Sequence, residues 1–509
     1  MEFRKERDFL GEVKVPKNAY YGSFTARAIE NFKISSHKIS FDLIKAVVLI
    51  KRCIALVNIK TKYLEDKTGK AVIKACDEIL DGKFQDQFLI DVYQAGAGTP
   101  INMNANEVIA NRATEILGGR LGTYKVHPNN HVNLSQSSND VIPTAIRLAV
   151  IYRSFDLLRT LKMLEHSFRK KAKEFHDVVK VGRTHLRDAV PITLGIEFEA
   201  YADLVKRDYN NIVKSVEGLK EIHLGGTAIG SGINTHTMFR SLVLEELNKK
   251  THLNLYATKN FFELNYNMEA FVNYSNSLRV LALNLIKIGN DLKFMSSGPR
   301  GGINEIILPE IEPGSSIMPG KVNPSMIEAL EMVCANIIGN DQTVAFAAKS
   351  GNLELNTFTP LIAHKLLNSV GLLKNAIGAF THKCVSGIKA NKERCKELLE
   401  KSVLYATALS PYIGYDITAY LVKKAIKEDK PIKEVIIDEH IFTEDDLDKL
   451  LSMKNLLRPR MIDKNLLKKV KESKNYLYLL HKIKENIKNG KEKKVDSIEK
   501  IIRVLESFF

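Results

Sequence analysis

The sequence predicts a mainly α-helical chain organised around a bundle of long helices. No proline interrupts the segment between Pro191 and Pro299, and the segment contains few glycine-rich breaks, so long helices are expected there. Strand and helix patterns do not alternate regularly along the chain, which argues against a parallel α/β sheet. A third observation is the heptad-like spacing of apolar residues within 267–295, at Phe271, Leu278, Leu281, Leu285, Ile288 and Leu292.

Further helices are expected on both sides of this bundle segment. Residues 1–40 lack helical spacing and are typical of short strands and turns. Thr443 begins a Thr-x-x-Asp pattern and is the expected N-cap of a short helix. Short helices of this kind are expected throughout 391–460. Apolar residues with helical spacing occur in 41–60, 68–81, 324–349 and 361–386.

Two helix starts are predicted beside polar loops in the first third of the chain. Asn104 or Asn106 is expected to begin a helix that runs through Leu117, because asparagine is a favourable N-cap residue. Asp140 and Pro143 suit the first turn of a later helix, since an acidic residue and a proline are both favoured there.

Composition limits the classes of protein to which the chain can belong. Its 509 residues are 45% hydrophobic, which suffices for a large helical body, yet no apolar run approaches the length of a membrane span. The first residues carry no apolar signal core. The net charge of +16 is attributed to a lysine-rich surface, since no basic motif with interleaved aromatic residues is present. Neither a nucleic acid nor a membrane is therefore an expected partner.

Cysteine usage indicates a reducing compartment. The five cysteines show no Cys-x-x-Cys spacing, and an odd, sparse set in a long chain is not typical of a disulfide framework or a zinc site. We therefore expect a cytoplasmic protein without a bound metal.

One polar loop lies between two of the predicted helices. Residues 314–324 read Gly-Ser-Ser-Ile-Met-Pro-Gly-Lys-Val-Asn-Pro, a composition that excludes a stable helix or a central strand. The loop offers two hydroxyl groups, one amine and one amide, from Ser315, Ser316, Lys321 and Asn323. Its glycines leave backbone N–H groups available to an anion.

Five polar segments in all interrupt the helical pattern, and in a bundle such loops can converge at one end. Together they supply hydroxyl groups, amides, histidines and one lysine, with no cysteine or carboxylate cluster suited to a metal. This inventory fits a compact anionic substrate that is held by hydrogen bonds. The segments are 96–104, 127–140, 182–188, 225–234 and 314–324.

These segments resemble the motifs of the aspartase/fumarase superfamily, and the resemblance covers residues 1–462. Residues 314–323 match the signature loop Gly-Ser-Ser-x-Met-Pro-x-Lys-x-Asn at every fixed position. Other matching motifs begin at Gln94 (Gln-Ala-Gly-Ala-Gly-Thr), His131 (His-Val-Asn, then Ser-Gln-Ser-Ser-Asn-Asp) and Gly182 (Gly-Arg-Thr-His-Leu-Arg-Asp-Ala-Val-Pro). Enzymes of this superfamily eliminate ammonia, water or a larger leaving group from succinyl-type substrates and release fumarate.

The resemblance implies a three-domain, mainly helical subunit with a central long-helix bundle. It also implies a homotetramer in which each active site takes loops from three chains. No cofactor is expected, and a divalent cation such as Mg²⁺ would serve only as an activator. The implied domains are a mixed, mostly helical domain at 1–138, the bundle at 139–390, a small helical domain at 391–463 and a basic, helical tail at 464–509.

The resemblance assigns the general base to Ser315, which would remove a proton from the carbon beside the β-carboxylate. Because a serine hydroxyl is a weak base, its alkoxide must be stabilised. Lys321, neighbouring backbone N–H groups and the exclusion of water are the expected causes. The alternative is a turn serine that is bonded only to the backbone of its own loop.

Both carboxylates of the substrate have implied partners. Lys321 and Asn323 would bind the α-carboxylate together with Thr184. Pro100 replaces the polar residue that is usual in the family at this position, and it fixes the backbone beside the β-carboxylate site. Four hydroxyl groups would hold the β-carboxylate, whose charge grows in the transition state. They belong to Thr99, Ser137, Ser138 and Ser316.

The leaving group has implied neighbours in Asn139 and His185. Glu328 corresponds to the acidic member of a histidine–glutamate pair of the family and would orient His185. Asn104 matches a further substrate-binding position, although an asparagine there can also be a structural cap.

The segments that bear on the leaving group do not agree: some favour ammonia and others favour water. Aspartase-like segments begin at Glu30, Asp188 and Gly298, whereas Ser138 and the His127-Pro-Asn segment resemble fumarases. We expect elimination of ammonia from L-aspartate to give fumarate, with the interconversion of L-malate and fumarate as the alternative. A non-catalytic helical scaffold is a third alternative, against which the presence of the matched serine, lysine, asparagine and histidine argues.

Overall fold

Helices dominate the structure, a computed structural model in which residues 2–403 and 405–488 are described. In chain order the helices are α1 (Ser23–Asn31), α2 (Phe41–Lys60), α3 (Asp66–Leu80), α4 (Thr99–Ile116), α5 (Ser138–Glu174), α6 (Leu194–Gly218), α7 (Phe239–Thr251), α8 (Phe261–Tyr266), α9 (Glu269–Met295), α10 (Ser325–Lys349), α11 (Thr359–Lys383), α12 (Lys392–Lys401), α13 (Ala406–Ile413), α14 (Tyr415–Glu428), α15 (Ile432–Asp438), α16 (Glu444–Leu450), α17 (Met453–Leu456), α18 (Lys464–Lys471) and α19 (Lys474–Lys488). Within the described residues, no helix is both long and apolar enough to cross a membrane.

The strands are short and occur in pairs. Three of the pairs are antiparallel, and the pair β5–β6 is parallel. The strands are β1 (Phe3–Asp8) with β2 (Gly11–Pro16), β3 (Val179–Thr184) with β4 (Arg187–Thr193), β5 (Glu221–Ile222) with β6 (Tyr256–Ala257), and β7 (Ile306–Ile307) with β8 (Lys389–Ala390).

The predicted long helices are confirmed. Helices α2, α3, α9, α10 and α11 occupy the segments in which apolar residues have helical spacing. All six heptad-like positions of α9, from Phe271 to Leu292, are buried. Burial of such a side chain contributes about 1.5–3 kcal/mol relative to exposure, so this stripe fixes α9 in the core.

The two predicted helix starts differ from the structure. α4 begins at Thr99 rather than at either asparagine that follows, because Pro100 occupies the first turn. There the fixed φ of proline is favourable, and its missing N–H would have no intrahelical partner in any case. α5 begins at Ser138, so Asp140 lies in the first turn as expected, but Pro143 lies inside the helix.

The first of two compact units comprises Met1–Ser167, Ala202–Asp291 and Glu310–Ser386. In this unit α1 packs against α4, α2 against α3 and α7, and α10 against α11. The buried ring of Tyr274 has its hydroxyl 2.6 Å from Ser154 Oγ. This hydrogen bond satisfies the polar atoms inside the apolar core.

The second unit comprises Phe168–Tyr201, Leu292–Pro309 and Gly387–Phe509. In this unit β3 and β4 form a hairpin, and α12 packs against β3. Helices α13 to α19 enclose an apolar cluster of their own, in which Leu409 and Leu421 are buried. This cluster gives the short C-terminal helices the burial that their length alone does not provide.

The C-terminal helices follow the predicted pattern. Thr443 caps α16, because its Oγ1 accepts a hydrogen bond from the backbone N–H of Asp446 at 3.2 Å. The basic tail is helical in α18 and α19, and residues 489–509 lie outside the described residues. The boundaries given above for the domains stay predictions.

Candidate active site

The loop at 314–324, which precedes α10, closes on itself. The backbone N–H of Gly314 donates to the carbonyl of Lys321 at 2.7 Å, and Asn323 Nδ2 donates to the carbonyl of Gly314 at 2.7 Å. Gly320 adopts a φ of +79°, which glycine reaches without strain. One amide hydrogen of Asn323 is therefore used inside the loop, and the rest of its amide is available to a ligand.

Two backbone N–H groups point at the hydroxyl of Ser315. Its Oγ accepts hydrogen bonds from Ile317 N at 3.2 Å and from Met318 N at 3.0 Å. This is the bonding of a serine in its own turn, and it also aims two donors at the atom on which an alkoxide charge would develop. The geometry therefore fits both interpretations of Ser315, and substitution of the residue is needed to separate them.

The side chains of this loop face outward. Ile317 is 83% exposed and Met318 is 48% exposed. Ser316 and Lys321 are exposed as well, and among the described residues Lys321 has no ion-pair partner. Glu328 lies exposed in the first turn of α10. An unpaired amine beside bare apolar side chains is suited to contact with a bound anion or with another chain.

A second group of the candidate residues surrounds the start of α5. Thr99 Oγ1 lies 3.1 Å from Ser138 Oγ. Ser137 Oγ accepts from the backbone N–H of Asn139 at 3.2 Å, and Ser138 Oγ donates to Asn139 Oδ1 at 3.4 Å. Three hydroxyl groups and one amide therefore meet at the N-terminus of a helix of 37 residues, where the backbone favours negative charge.

Asp140 ties this group to the glycine-rich loop after β5. Its carboxylate accepts the backbone N–H groups of Ser137 at 3.0 Å, Gly225 at 2.9 Å and Thr227 at 3.0 Å. Burial raises the pKa of Asp140 to about 6, and these hydrogen bonds oppose the effect. Sequence analysis assigned Asp140 only to the start of a helix, whereas the structure shows that it fixes two loops to each other.

The same glycine-rich loop holds Asn139. Its Nδ2 donates to the carbonyl of Ala228 at 2.8 Å, and its backbone carbonyl lies 3.1 Å from His223 Nε2. Because a carbonyl can only accept, this contact requires the proton of His223 on Nε2. Burial lowers the pKa of His223 to about 4, so the imidazole is neutral at neutral pH.

A buried lysine that sequence analysis missed supports the chain just before the serines. Lys51 on α2 donates to Gln136 Oε1 at 2.9 Å and lies 3.4 Å from Asn133 Oδ1. Asn102 and Asn106 on α4 donate to the same oxygen of Asn133 at 2.9 and 3.1 Å. Burial lowers the pKa of Lys51 to about 7. The available signal was a lysine on the apolar face of a predicted helix.

Asn104 points into the interior of the first unit. It is buried, and its Nδ2 donates to the carbonyl of Gln87 at 3.1 Å. This contact agrees with a structural role for Asn104, and its role in binding stays a prediction.

Thr184 and His185 lie in the second unit, at the end of the β3–β4 hairpin. His185 and Leu186 form its two-residue turn with φ values of 55° and 57°. Positive φ at both positions is the type I′ turn, in which asparagine and glycine are the favoured residues. Both residues are exposed, so the hairpin presents the imidazole outward from a turn that is strained for these residue types.

A buried ion cluster anchors this hairpin. Glu305 is fully buried, and its carboxylate lies 2.9 Å from Arg183 Nη1 and 3.2 Å from Lys180 Nζ. Lys180 also lies 3.0 Å from Glu197 Oε1. Removal of one member of a buried ion pair typically costs about 3–5 kcal/mol, so the cluster holds β3 firmly up to Thr184.

The candidate residues therefore form separate groups whose roles stay predictions. Within residues 2–403 and 405–488, no hydrogen bond joins the 314–324 loop to the residues at the start of α5. Over the same described residues, no cluster of three or more His, Cys, Asp or Glu is placed to hold a metal ion. The groups are Thr99, Ser137, Ser138 and Asn139; Ser315, Ser316, Lys321 and Asn323; and Thr184 and His185.

Comparison with known proteins agrees with the fold. Residues 11–339 match the family described as Lyase, and residues 406–458 match the family described as Fumarase C C-terminus. An aspartate ammonia-lyase from a Bacillus species is 44% identical over 459 residues, which cover 90% of this chain and 98% of that protein. A class II fumarate hydratase from Bacillus subtilis is 42% identical over 461 residues, which cover 90% of this chain and 100% of that protein.

Solved structures show the same architecture. The crystal structure of fumarate lyase:delta crystallin from Brucella melitensis bound to cobalt has a TM-score of 0.87 and 44% identity to the chain. The match covers 90% of this chain and 100% of that one.

Fold and sequence together define a lyase with a long-helix bundle. More particularly, the chain belongs to the aspartase/fumarase superfamily. Aspartate ammonia-lyases and fumarate hydratases are similar to it to nearly the same degree. Similarity therefore gives the superfamily, and the leaving group has to be argued from the site.

Proposed function

We propose that the chain is an aspartate ammonia-lyase, which converts L-aspartate reversibly to fumarate and ammonia. The observation that carries the proposal is the pair of N–H donors on Ser315 Oγ, at 3.2 and 3.0 Å. Donors aimed at one oxygen lower the free energy of the alkoxide that a serine base requires. The 44% identity to an aspartate ammonia-lyase supports the same chemistry.

In the proposed reaction the Ser315 alkoxide takes a proton from the carbon beside the β-carboxylate. The electron pair of the broken C–H bond moves into that carboxylate and gives an enediolate-type dianion. The C–N bond of the neighbouring carbon then breaks on the opposite face, and the ammonium nitrogen leaves as ammonia with the bonding pair. The resulting double bond is that of fumarate, and the proton on Ser315 returns to solvent.

Each carboxylate of the substrate is assigned to its own set of hydrogen-bond donors. The β-carboxylate gains charge in the transition state and is assigned to the hydroxyl groups of Thr99, Ser137 and Ser138, whose place at the helix N-terminus favours an anion. Lys321 and Asn323 are assigned to the α-carboxylate, because an amine and an amide donor can bind it together. Ser316 and Thr184 supply further hydroxyl donors in this proposal.

The leaving group is assigned to Asn139 and His185, with Glu328 orienting the imidazole. The contact from Ser138 Oγ to Asn139 Oδ1 is long, at 3.4 Å, so a substrate ammonium can replace it at small cost. An amide oxygen accepts a hydrogen bond from an ammonium group, which is the form of the amine in L-aspartate near neutral pH.

Hydration of fumarate to L-malate is the second candidate function. It is favoured by the serine at position 138, a residue type that resembles fumarases, and by the 42% identity to a class II fumarate hydratase. The single methyl group by which serine and threonine differ is a small change in a binding site, so Ser138 by itself does not decide between ammonia and water.

A direct assay distinguishes the two functions. Purified protein incubated with L-aspartate should form fumarate, followed by its ultraviolet absorbance, with ammonia released in equal amount. L-Malate should react at least about 100-fold more slowly, because a site that bonds an ammonium discriminates against its replacement by a hydroxyl. D-Aspartate is the matched control and should give no fumarate.

The opposite outcomes of this assay are also informative. Fumarate from L-malate alone would replace the proposal by the hydratase. If the folded oligomer forms fumarate from neither substrate, a larger succinyl substrate or the non-catalytic scaffold would be favoured.

We further propose a homotetramer whose active sites are shared between subunits. A face of α10 supports this proposal, because its exposed residues carry no charge between Glu328 and Lys349. Small and apolar residues on a helix face suit close packing against another helix and are unusual toward water. Six of the exposed residues are small or apolar, namely Ala329, Met332, Ala335, Gly339, Ala345 and Phe346, and the other two, Asn336 and Gln342, are uncharged amides.

Replacing Gly339 by arginine is expected to dissociate the oligomer. In the single chain a Cβ at Gly339 would meet nothing within 4 Å, so the variant should fold, and a partner helix is what the new side chain would displace. The mass from light scattering should fall to one half or less of the wild-type mass, with loss of lyase activity. Gly301→Arg is the matched control, because Gly301 also has open space around it. An unchanged mass for G339R would contradict the proposed interface.

The remaining features of the proposal concern cofactor and compartment. The proposed reaction uses no cofactor, and Mg²⁺ is proposed only as an activator. The cytoplasm is the proposed compartment, and the five cysteines, all free and buried, suit its reducing conditions.

A further inference from the structure

A cavity with basic walls lies in the first unit and includes none of the candidate active-site residues. Its volume is about 340 Å³, and it is bounded by the segment 37–40, by α5 and by α11. None of the described residues that line it is acidic. The polar side chains of the lining are His37, Lys38, Ser40, Arg153, His364, Asn368 and Asn375.

Two of these basic side chains face each other. The ring centroids of His37 and His364 are 5.4 Å apart. Burial, Lys365 and the neighbouring His37 all lower the pKa of His364. Two imidazoles at this separation repel when both are protonated, and an anion between them would remove that repulsion.

The two permanent cations of the cavity are held in place by other contacts. Arg153 Nε donates to Asp42, which is outside the lining. Lys38 Nζ donates to the carbonyl of Leu89 at 2.9 Å. A cation that is fixed before a ligand binds loses little conformational entropy on binding, so these contacts prepare the site.

We propose that this pocket binds a compact dianion of the phosphate or four-carbon dicarboxylate type, at a site separate from the candidate active site. The guanidinium of Arg153, the amine of Lys38 and the two imidazoles supply the charge-assisted hydrogen bonds. The cavity exceeds the volume of such an ion, so it also has room for several waters at about 30 Å³ each. Apolar walls at Leu43 and Leu367 suit the carbon chain of a dicarboxylate better than a bare phosphate ion.

The walls of the pocket continue toward Thr99. Val92, in the lining, donates its N–H to the carbonyl of His37 at 3.3 Å. Five residues later, Ala97 donates to the carbonyl of Thr357 at 2.9 Å, just before α11 begins. Both the 92–99 segment and the start of α11 therefore lie between the pocket and the group of hydroxyls at Thr99.

Titration calorimetry tests the proposal with two probes, inorganic phosphate and succinate. We expect the double variant His37→Gln/His364→Gln to weaken binding of at least one probe by tenfold or more. His382→Gln is the matched control, because His382 lies exposed on the same helix but outside the cavity, and it should bind as the wild type does. The variant Lys321→Ala reports on the 314–324 loop, so a binding component that disappears in this variant belongs to the loop and not to the pocket. Failure of the proposed function and failure of this pocket are therefore distinguishable.

The outcomes separate the two sources of the dianion. A phosphate component lost in the double variant assigns the pocket to phosphate, and a succinate component lost in it assigns the pocket to dicarboxylates. Binding of both probes that is unchanged in the double variant would overturn the proposal, as would the absence of any component beyond the loop site. If the double variant fails to fold, the single variant His364→Gln should still weaken binding about fivefold.

Affinity for succinate should also depend on pH. Because the pKa of His364 is lowered, its imidazole is largely neutral at neutral pH, and an anion binds its protonated form better. We expect at least a threefold gain in affinity from pH 8 to pH 6, and the double variant should lose that gain. The other charged or titratable groups near the imidazole are His37, Lys38, Asp42, Asp91, Arg153 and Lys365.

Discussion

Replacing Ser315 by alanine is expected to reduce the turnover of L-aspartate by about 10²–10⁴-fold, because the group that accepts the proton is lost. The fold should be unaffected. The hydrogen bonds that close the loop join Gly314 to Lys321 and to Asn323, and neither uses the serine hydroxyl. The N–H groups of Ile317 and Met318 lose their acceptor, but they lie in an exposed turn where water can replace it. The free energy of unfolding should therefore change by less than about 1 kcal/mol. Steady-state kinetics and thermal unfolding measure the two quantities on one preparation.

Ser241→Ala is the matched control for this substitution. Ser241 is exposed, and its hydroxyl is likewise bonded to the local backbone, at 2.9 Å from the carbonyl of Met238. Its replacement should leave both turnover and stability unchanged. If Ser315→Ala behaves in the same way, the two N–H groups on its hydroxyl merely shape a turn, and the base has to be sought elsewhere.

Replacing Asp140 by asparagine is expected to lower both stability and turnover. The carboxylate accepts three backbone N–H groups, and an asparagine amide offers only one accepting atom in place of two. Whichever way the amide turns, its NH₂ group faces either Ser137 N or the N–H groups of Gly225 and Thr227. An unsatisfied buried donor costs about 1–3 kcal/mol, so we expect a loss of about that size in urea unfolding.

Turnover should fall in Asp140→Asn because the serines at the start of α5 lose their anchor. Asp208→Asn provides the comparison, since Asp208 is also buried and burial also raises its pKa to about 6. Its carboxylate accepts a hydrogen bond from the side-chain amide of Asn284, at 2.9 Å, and that amide can rotate to offer its oxygen instead. Asp208→Asn should therefore be tolerated. Equal losses in the two variants would show that charge, rather than the fixed backbone donors, determines the effect.

Most of the fold could be predicted from periodicity alone. The apolar stripe of α9 repeats with the spacing of a helix face, and burial of that stripe is what the structure shows. The start of α4 was missed, because a local rule about asparagine caps was applied where Pro100 takes the first turn. This error concerns a helix end, where several residue types compete for the same position. A whole helix, α1 at Ser23–Asn31, was also missed, because only short strands and turns were expected in 1–40.

The candidate site was less predictable than the fold. Hydroxyl, amide and amine groups could be named from loop composition and family resemblance, and Thr99, Ser138 and Asn139 do lie together. The residues that hold these side chains in place, Lys51 and Asp140, were not predicted in that role. They act through contacts between residues far apart in sequence. A one-dimensional pattern carries no direct record of such contacts, although a charged residue on an apolar face is a usable warning.

The turn at His185 and Leu186 has a consequence for protein engineering. Consensus-based stabilisation would replace these residues by Asn-Gly, the pair that suits positive φ at both positions, and it would gain stability by relieving the strain. The same exchange would delete the imidazole that the hairpin presents. Selection for melting temperature alone would thus favour this exchange, and selection for turnover would oppose it. Any library that aims at both properties should keep His185 fixed and seek its thermal gains elsewhere in the chain.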